Sequence, residues 1–286
     1  MLWFGLALGA ALAQSGQFAI VKGRAAHVPP SVMIVWSQLV GALGWAAWLA
    51  IAGGPFLPAW AEGPWIALAM ALALTMNYLL ARGSARGDIG IVGPVLALSP
   101  VFTVVPDLVL TGALPRGLGW VGLALSVVGT MSLSGKTSLR ALGQLFRRPD
   151  ALDALGAAVS LGVLAAVDRR NGLAMGVATY LFASHSMGAV VAAGIAAARA
   201  PRALARTFVT RDLVAALAYG LTGAVGTAMQ IVAVTLAPAS YVNAIRRTSA
   251  IFSVLLGHAL FHEPALGARL GGALLASVGA ALLLLG

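Results

Sequence analysis

Ten apolar runs, each of a length that can cross a hydrocarbon layer about 30 Å thick, follow one another along this chain. They cover residues 2–21, 31–52, 64–81, 89–110, 118–134, 151–168, 174–198, 213–236, 240–261 and 267–285. Most turns between them are short and hold Gly, Pro or charge, as in AAHVPP, GGPFLPAWAEGP and TGALPRG. No period-2 alternation runs through them, which excludes a membrane barrel. A chain of this pattern satisfies its backbone groups in lipid only as helices. Composition closes the soluble alternative: 9% of the 286 residues are charged and mean hydropathy is +0.95, against about 25% charged residues in a soluble domain. The first run has no basic segment before it; Lys22 and Arg24 follow it, so it is read as a span and not as a cleavable signal.

The longest polar stretch, residues 135–150, divides the spans five and five, and the two halves resemble each other. Shifting the first half by 150 positions lays Ser99 on Ser249, Phe102 on Phe252, Gly122 on Gly272 and Gly129 on Gly279. SPVFTVV then covers SAIFSVL, and GLALSVVG covers GALLASVG. An odd number of spans per half makes the halves enter the membrane in opposite senses. The expected fold is therefore an all-α membrane protein with ten transmembrane helices arranged as two inverted five-helix repeats, residues 1–134 and 151–286. Residues 135–150 form a cytoplasmic linker on this reading.

Of the 18 Lys and Arg residues, 13 fall in odd-numbered loops and three, Arg116, Arg169 and Arg170, in even ones. The positive-inside bias then puts odd loops in the cytoplasm and both termini outside. The net charge of +10 follows from these loops, with no basic region standing apart from the membrane, so nucleic acid is not an expected partner. Cysteine is absent, which removes disulfides and thiolate chemistry. There is no nucleophile–base set, phosphate loop or metal-ligand cluster. His258 and His262, four apart, read as a helix end. An enzyme is not expected, and no cofactor or metal is implied.

The two charges left over are Arg246 and Arg247, inside the ninth run. A helix starting at Ala239 carries them roughly 10–12 Å into the bilayer. Charge at that depth costs about 2.5 kcal/mol or more and marks a solute path by default. Adjacent helical positions diverge by about 100°, so one arginine faces the cavity while the other snorkels or pairs with Asp107. The polar residues within spans complete the candidate site: Gln14, Ser15 and Gln17; Trp36, Ser37 and Gln38; Asn77 and Tyr78; Tyr180, Ser184 and His185; Thr227 and Gln230; Tyr241 and Asn243. Such groups bridge helices or line a lumen. A shift of 147 brings Gln38 onto His185, so both halves place a hydrogen-bonding side chain at one level. Trp36, Tyr78 and Tyr180 are expected to shape an apolar pocket. Pro94, Pro100 and Pro106 recur every six residues in the fourth run and suggest a bendable gating helix. Asp88, Asp107, Asp168 and Glu263 all fall near span ends. With no carboxylate at mid-depth, exchange of lipophilic cations is disfavoured and an anionic or zwitterionic solute is favoured.

GDIGIVGPVLALSPVF in the fourth run and SYVNAIRRTSAIFSVLLGHALFHEP in the ninth, within five-plus-five helices, resemble the EamA-type family of the drug/metabolite transporter superfamily. AQSGQFAIVK at the end of the first run is similar to that family's first-helix pattern, without its usual tryptophan. The family's glutamate after the fourth and ninth helices appears once, as Glu263; its first-half counterpart is Ala113. The resemblance implies a secondary transporter, an exporter of a small organic metabolite such as an amino acid, working by alternating access in a bacterial-type inner membrane. Its partners would be the solute and lipid, with the protein a monomer or homodimer. The family is usually drawn with its termini inside, opposite to the charge bias here. The alternative is a lipid head-group flippase or an accessory membrane protein.

Overall fold

The structure, a computed structural model, describes residues 1–24, 28–86, 95–132, 149–208, 212–249, 251, 252, 255, 256, 259 and 266–285. Among these, the secondary structure is helical. In chain order the helices are α1 (Leu2–Arg24), α2 (Pro30–Ala52), α3 (Gly63–Arg86), α4 (Ser99–Thr111), α5 (Leu118–Ser132), α6 (Pro149–Met175), α7 (Val177–Arg199), α8 (Pro201–Thr207), α9 (Asp212–Leu236), α10 (Ala239–Arg246) and α11 (Leu266–Leu285). A 3-10 turn, Trp60–Glu62, leads into α3. Pro94, Asp88, His258, His262, Glu263 and linker residues 135–148 lie outside the described residues.

Helices α1, α2, α6, α7 and α9 each contain a stretch long and apolar enough to cross a membrane. Shorter apolar segments lie in α4, α5 and α11. Their outer faces remain apolar: Val190, Val214, Leu221 and Leu274 are exposed. In water such a surface would be an aggregation hazard; in lipid it is the required one. The chain is an integral membrane protein.

The helices pair as α1 with α9, α2 with α7, α3 with α6, α4 with α10 and α5 with α11. Helix α6 also packs on α4, and α1 on α10. Glycine allows the closest approach, between α5 and α11. A Cβ on Gly129 would run into the backbone of Ala276, and one on Gly279 into the backbone of Ser126. Close contact of this kind replaces the hydrophobic drive that lipid does not supply. Helices α6 and α7 are joined by a single residue, Gly176, at φ 77°, a backbone state that side chains disfavour.

Three runs differ from the sequence reading. The sixth does not stop at residue 168; its helix continues through Asp168, Arg169 and Arg170 to Met175. Charge ended the apolar run there, but charge does not end a helix, which runs on through Gly172 and stops before Gly176. The ninth run is not one continuous helix either. Its helix ends at Arg246, and Arg247 and Thr248 form a turn in which the Thr248 N–H reaches the Ile245 carbonyl at 2.9 Å. The fourth run has a matching turn at Ala97 and Leu98, where the Leu98 N–H reaches the Val95 carbonyl at 3.1 Å. Pro100 therefore lies in the first turn of α4, where its missing N–H costs nothing, and does not bend a helix. Pro106 is inside α4.

Candidate functional site

Helix α10 is eight residues long and almost wholly buried, so both of its ends need partners. At its start the Ala239 N–H donates to Asp107 Oδ2 at 2.6 Å. A carboxylate from α4 thus occupies the positive end of the α10 dipole. At its finish stand Arg246 and Arg247, cations at the negative end. Between them, Asn243 Nδ2 donates to Thr103 Oγ1 at 3.0 Å, and Ser99 Oγ donates to Asn243 Oδ1 at 3.5 Å. The segment is fastened to α4 by side chains and delivers two guanidinium groups at the break.

Those groups open onto a cavity of about 380 Å³. Gln14 and Gln17 line it from α1, Ser37 and Gln38 from α2, and Asn77 with Met70 and Met76 from α3. Asp168 with Leu161 and Leu164 contributes from α6; Tyr180, Ser184 and His185 from α7; Tyr219, Thr227 and Gln230 from α9. Its walls carry charge, amide, hydroxyl and thioether groups together, the mixture expected of a site for a small amphiphilic molecule. Several of these polar groups are satisfied by their own helices or by neighbouring ones. His185 is bonded through Nδ1 to the Leu181 carbonyl at 2.8 Å, and Gln17 Nε2 donates to the Tyr219 carbonyl at 3.3 Å. The Tyr180 hydroxyl donates to Asp168 Oδ1 at 2.5 Å. The arginines are different. Arg246 Nε and Arg247 Nε are buried with no hydrogen-bond partner, and neither guanidinium forms a contact ion pair among the described residues. Gln14 Oε1 is likewise buried and unpaired.

Gln38 and His185 are placed reciprocally. The Gln38 amide sits where a Cβ on Gly188 would be, and the His185 ring where a Cβ on Gly41 would be. Each polar side chain thus lies across a glycine of the opposite helix as α2 and α7 cross.

Of the sequence candidates, Gln14, Gln38, Asn77, Tyr180, His185, Gln230, Arg246 and Arg247 meet at this cavity. Trp36, Tyr78 and Asn243 are not among its lining residues. Trp36 is turned toward α8, its indole N–H donating to Thr207 Oγ1 at 3.1 Å and its ring 4.8 Å from that of Phe208. Tyr78 is 58% exposed, with the Arg82 guanidinium 5.3 Å from its ring centre. Asn243 ties α10 to α4 as described. Asp107 pairs with Arg169 at 3.2 Å, and neither Arg246 nor Arg247 is its partner. Arg169 comes nearer because α6 extends past residue 168.

Sequence reasoning missed Asp168 as a cavity residue. It set the residue at a span end, whereas Asp168 is 8% exposed and lies within a spanning helix. A carboxylate therefore lines the cavity beside the arginines. Tyr219 was missed as well; an aromatic in an Ala/Leu-rich span carries no signal of which way it faces. The usable signal for Asp168 was the lack of any Gly or Pro at 168–171, which lets a helix carry on past it.

Next to Asp168, consecutive residues close one end of the bundle. Arg169 holds Asp107, and Arg170 pairs with Glu62 and lies 4.4 Å from the Trp65 ring. Asn171 Nδ2 donates to the Trp65 carbonyl at 3.3 Å. Arg82 and Asp153 pair α3 with the start of α6 at the opposite end.

Sequence comparison now adds to the geometry. Residues 1–135 match the model of the EamA-like transporter family. The EamA-like match ends just beyond α5, and the family it names is one of membrane transporters. A solved crystal structure superposes with a TM-score of 0.76 at 20% identity, covering 98% of this chain and 96% of the other. At that identity the likeness carries the fold. No curated protein matches the chain significantly.

Proposed function

We propose that this membrane transporter is a secondary carrier that exports a small zwitterionic or anionic metabolite, such as an amino acid, across a bacterial-type inner membrane. One observation carries the reading: two guanidinium groups with no contact ion pair among the described residues stand at a broken helix on a cavity of about 380 Å³. Burying unpaired charge is expensive unless something completes it. A carboxylate or phosphate fits the fork of an arginine and would do so.

Alternating access through that cavity requires two related halves, residues 1–134 and 151–286, inserted in opposite senses as ten spans. Local geometry supports this. The turns at Ala97–Leu98 and Arg247–Thr248 are 150 positions apart and use equivalent hydrogen bonds. The Gly129–Ala276 and Gly279–Ser126 contacts exchange under the same shift, and Gln38–Gly188 and His185–Gly41 exchange under a shift of 147. The helix pairs follow suit: exchanging the halves turns α1–α9 into α6–α3 and returns α2–α7, α4–α10 and α5–α11 onto themselves. The ion pairs at the Arg169–Arg170 end fit a state closed on that side, which the loop charges assign to the exterior, with both termini there.

The test is uptake into vesicles reconstituted with the protein. Accumulation of an amino acid or organic acid, lost in the Arg246→Leu, Arg247→Leu double variant, is the expected result. Unchanged uptake in that variant rejects the arginine role. Thermal stabilisation by anionic lipids alone, and by no soluble solute, would transfer the protein to the class of lipid-handling proteins.

A further inference from the structure

Resting on the reading just given, we infer that Asp168 and the Tyr180 hydroxyl form a second, cation-accepting pole of the cavity and are the residues that select, among carboxylate-bearing molecules, those that also carry an ammonium group.

Asp168 is buried, faces the cavity and has one hydrogen-bond partner, Tyr180, at Oδ1. An ionised carboxylate accepts at about four lone-pair sites, so one bond leaves it open to more. Asp168 forms no contact ion pair with Arg246 among the described residues. This is the distinctive feature. Both side chains line the same cavity, and each stands on a helix anchored elsewhere. Arg246 is fixed at the end of α10, and α10 is anchored to α4 through Asn243 and through Ala239 on Asp107. Asp168 is fixed on α6, whose next two residues are clamped by Asp107 and Glu62. The consequence is one cavity lined by a carboxylate and two guanidinium groups, poles of opposite sign that are not ion-paired with each other among the described residues.

A simple anion suits only one of those poles. Its carboxylate would satisfy a guanidinium, but the molecule would leave Asp168 facing it without compensation. An amine suits the other pole alone and meets two arginines. A molecule with both groups completes both. Leu161, Leu164, Met70 and Met76 offer its remaining carbon atoms an apolar wall. The Tyr180 hydroxyl, donating to one carboxylate oxygen, orients the other and also presents its own lone pairs to an ammonium group. Asp168 and Tyr180 would then be selectivity residues, with the arginines supplying the shared anchor.

The experiment uses the purified full-length protein and reads ligand-induced thermal stabilisation. The probes are the protein amino acids, each beside its 2-oxo acid (same skeleton and carboxylate, no ammonium) and its decarboxylated amine. Charge-assisted hydrogen bonds contribute enough for a preference of about 10- to 100-fold for an amino acid over its oxo acid. In Asp168→Asn that preference should fall to about threefold or less while the oxo acid binds as well as before or better. Tyr180→Phe should lower it by a smaller factor, and it tests the same pole should the Asn variant fold poorly. A merely structural tie between α6 and α7 would lower stability without moving the ratio. Equal binding of amino and oxo acids by the parent protein, or an unchanged ratio in both variants, overturns the second pole and leaves the transporter reading standing. Absence of stabilisation by any acid of either kind removes the anion site itself, and with it the ground for this pole.

Discussion

Two sets of charges in this molecule obey opposite rules. At the end of the bundle where α4 and α6 finish and α10 begins, Asp107 accepts from Arg169, from Thr111 and from the Ala239 N–H, and Arg170 pairs with Glu62. Deeper in, Arg246 and Arg247 have no contact ion pair among the described residues. The first set reads as architecture, because each charge has an ion-pair partner, although Arg169 Nε itself is unpartnered. In the second set the fold positions the charges and leaves the matching undone. In a membrane interior, where unpaired polar groups are costly, an incomplete site is what a ligand would complete.

The difference predicts opposite stability effects. Removing one member of a buried, hydrogen-bonded charge cluster leaves the others uncompensated, at about 3–5 kcal/mol. Asp107→Ala should therefore lose about that much in reversible unfolding, since it strands Arg169 and the first N–H of α10 together. A loss below about 1 kcal/mol would mean the cluster is not what fastens α10.

Arg246→Leu combined with Arg247→Leu should behave the other way. Replacing unpaired buried charge with apolar groups of similar length is neutral or stabilising. Unfolding should stay within about 1 kcal/mol of the parent or improve. Ligand-dependent stabilisation should fall at least about 100-fold, equivalent to about 2.7 kcal/mol of binding. A double variant that loses several kcal/mol of stability while still responding to ligand would put the arginines with the architectural set and erase the distinction.

How much of this was legible beforehand follows from what each residue's signal depends on. The apolar runs gave the helices and the membrane, because hydropathy acts locally and needs no partner. The arginine pair stood out because two charges in such a run break the pattern. Asp168 did not stand out, since it lies beside Arg169 and Arg170, and three charges in a row look like a loop. The chain resolves this by continuing the helix to Met175, turning Asp168 inward and the arginines to partners on α4 and before α3. Facing direction was the other blind spot. Trp36 and Gln38 are two residues apart on α2, yet Gln38 lines the cavity and Trp36 reaches Thr207. Only the packing of α2 between α7 and α9 decides that. The break at Arg247 was also invisible, because no Pro or Gly marks it.

Within the architectural set, the outermost pair should matter less. Arg170 and Glu62 are partly exposed, and such a pair contributes about 1 kcal/mol or less before the Trp65 contact is added. Arg170→Ala should lower stability by about 1–2 kcal/mol, and part of that loss should vanish in high salt. A loss as large as that from Asp107→Ala, insensitive to salt, would show that this end is dry and that the two pairs act as one cluster.

The smallest effect separates two tyrosines that the sequence treated alike. Tyr180 is buried with its hydroxyl on Asp168, whereas Tyr78 is 58% exposed on α3, with its ring beside Arg82. Tyr78→Phe keeps the ring and removes an oxygen outside the cavity, so stability should change by less than about 0.5 kcal/mol. The preference between an amino acid and its oxo acid should not move. The cation–ring contact survives in Phe, which isolates the hydroxyl as the only change. A shift in that preference would place Tyr78 on the solute path despite its exposure. The cavity would then reach the outer face of α3, and the line drawn here between completed and uncompleted polar groups would have to be moved to include it.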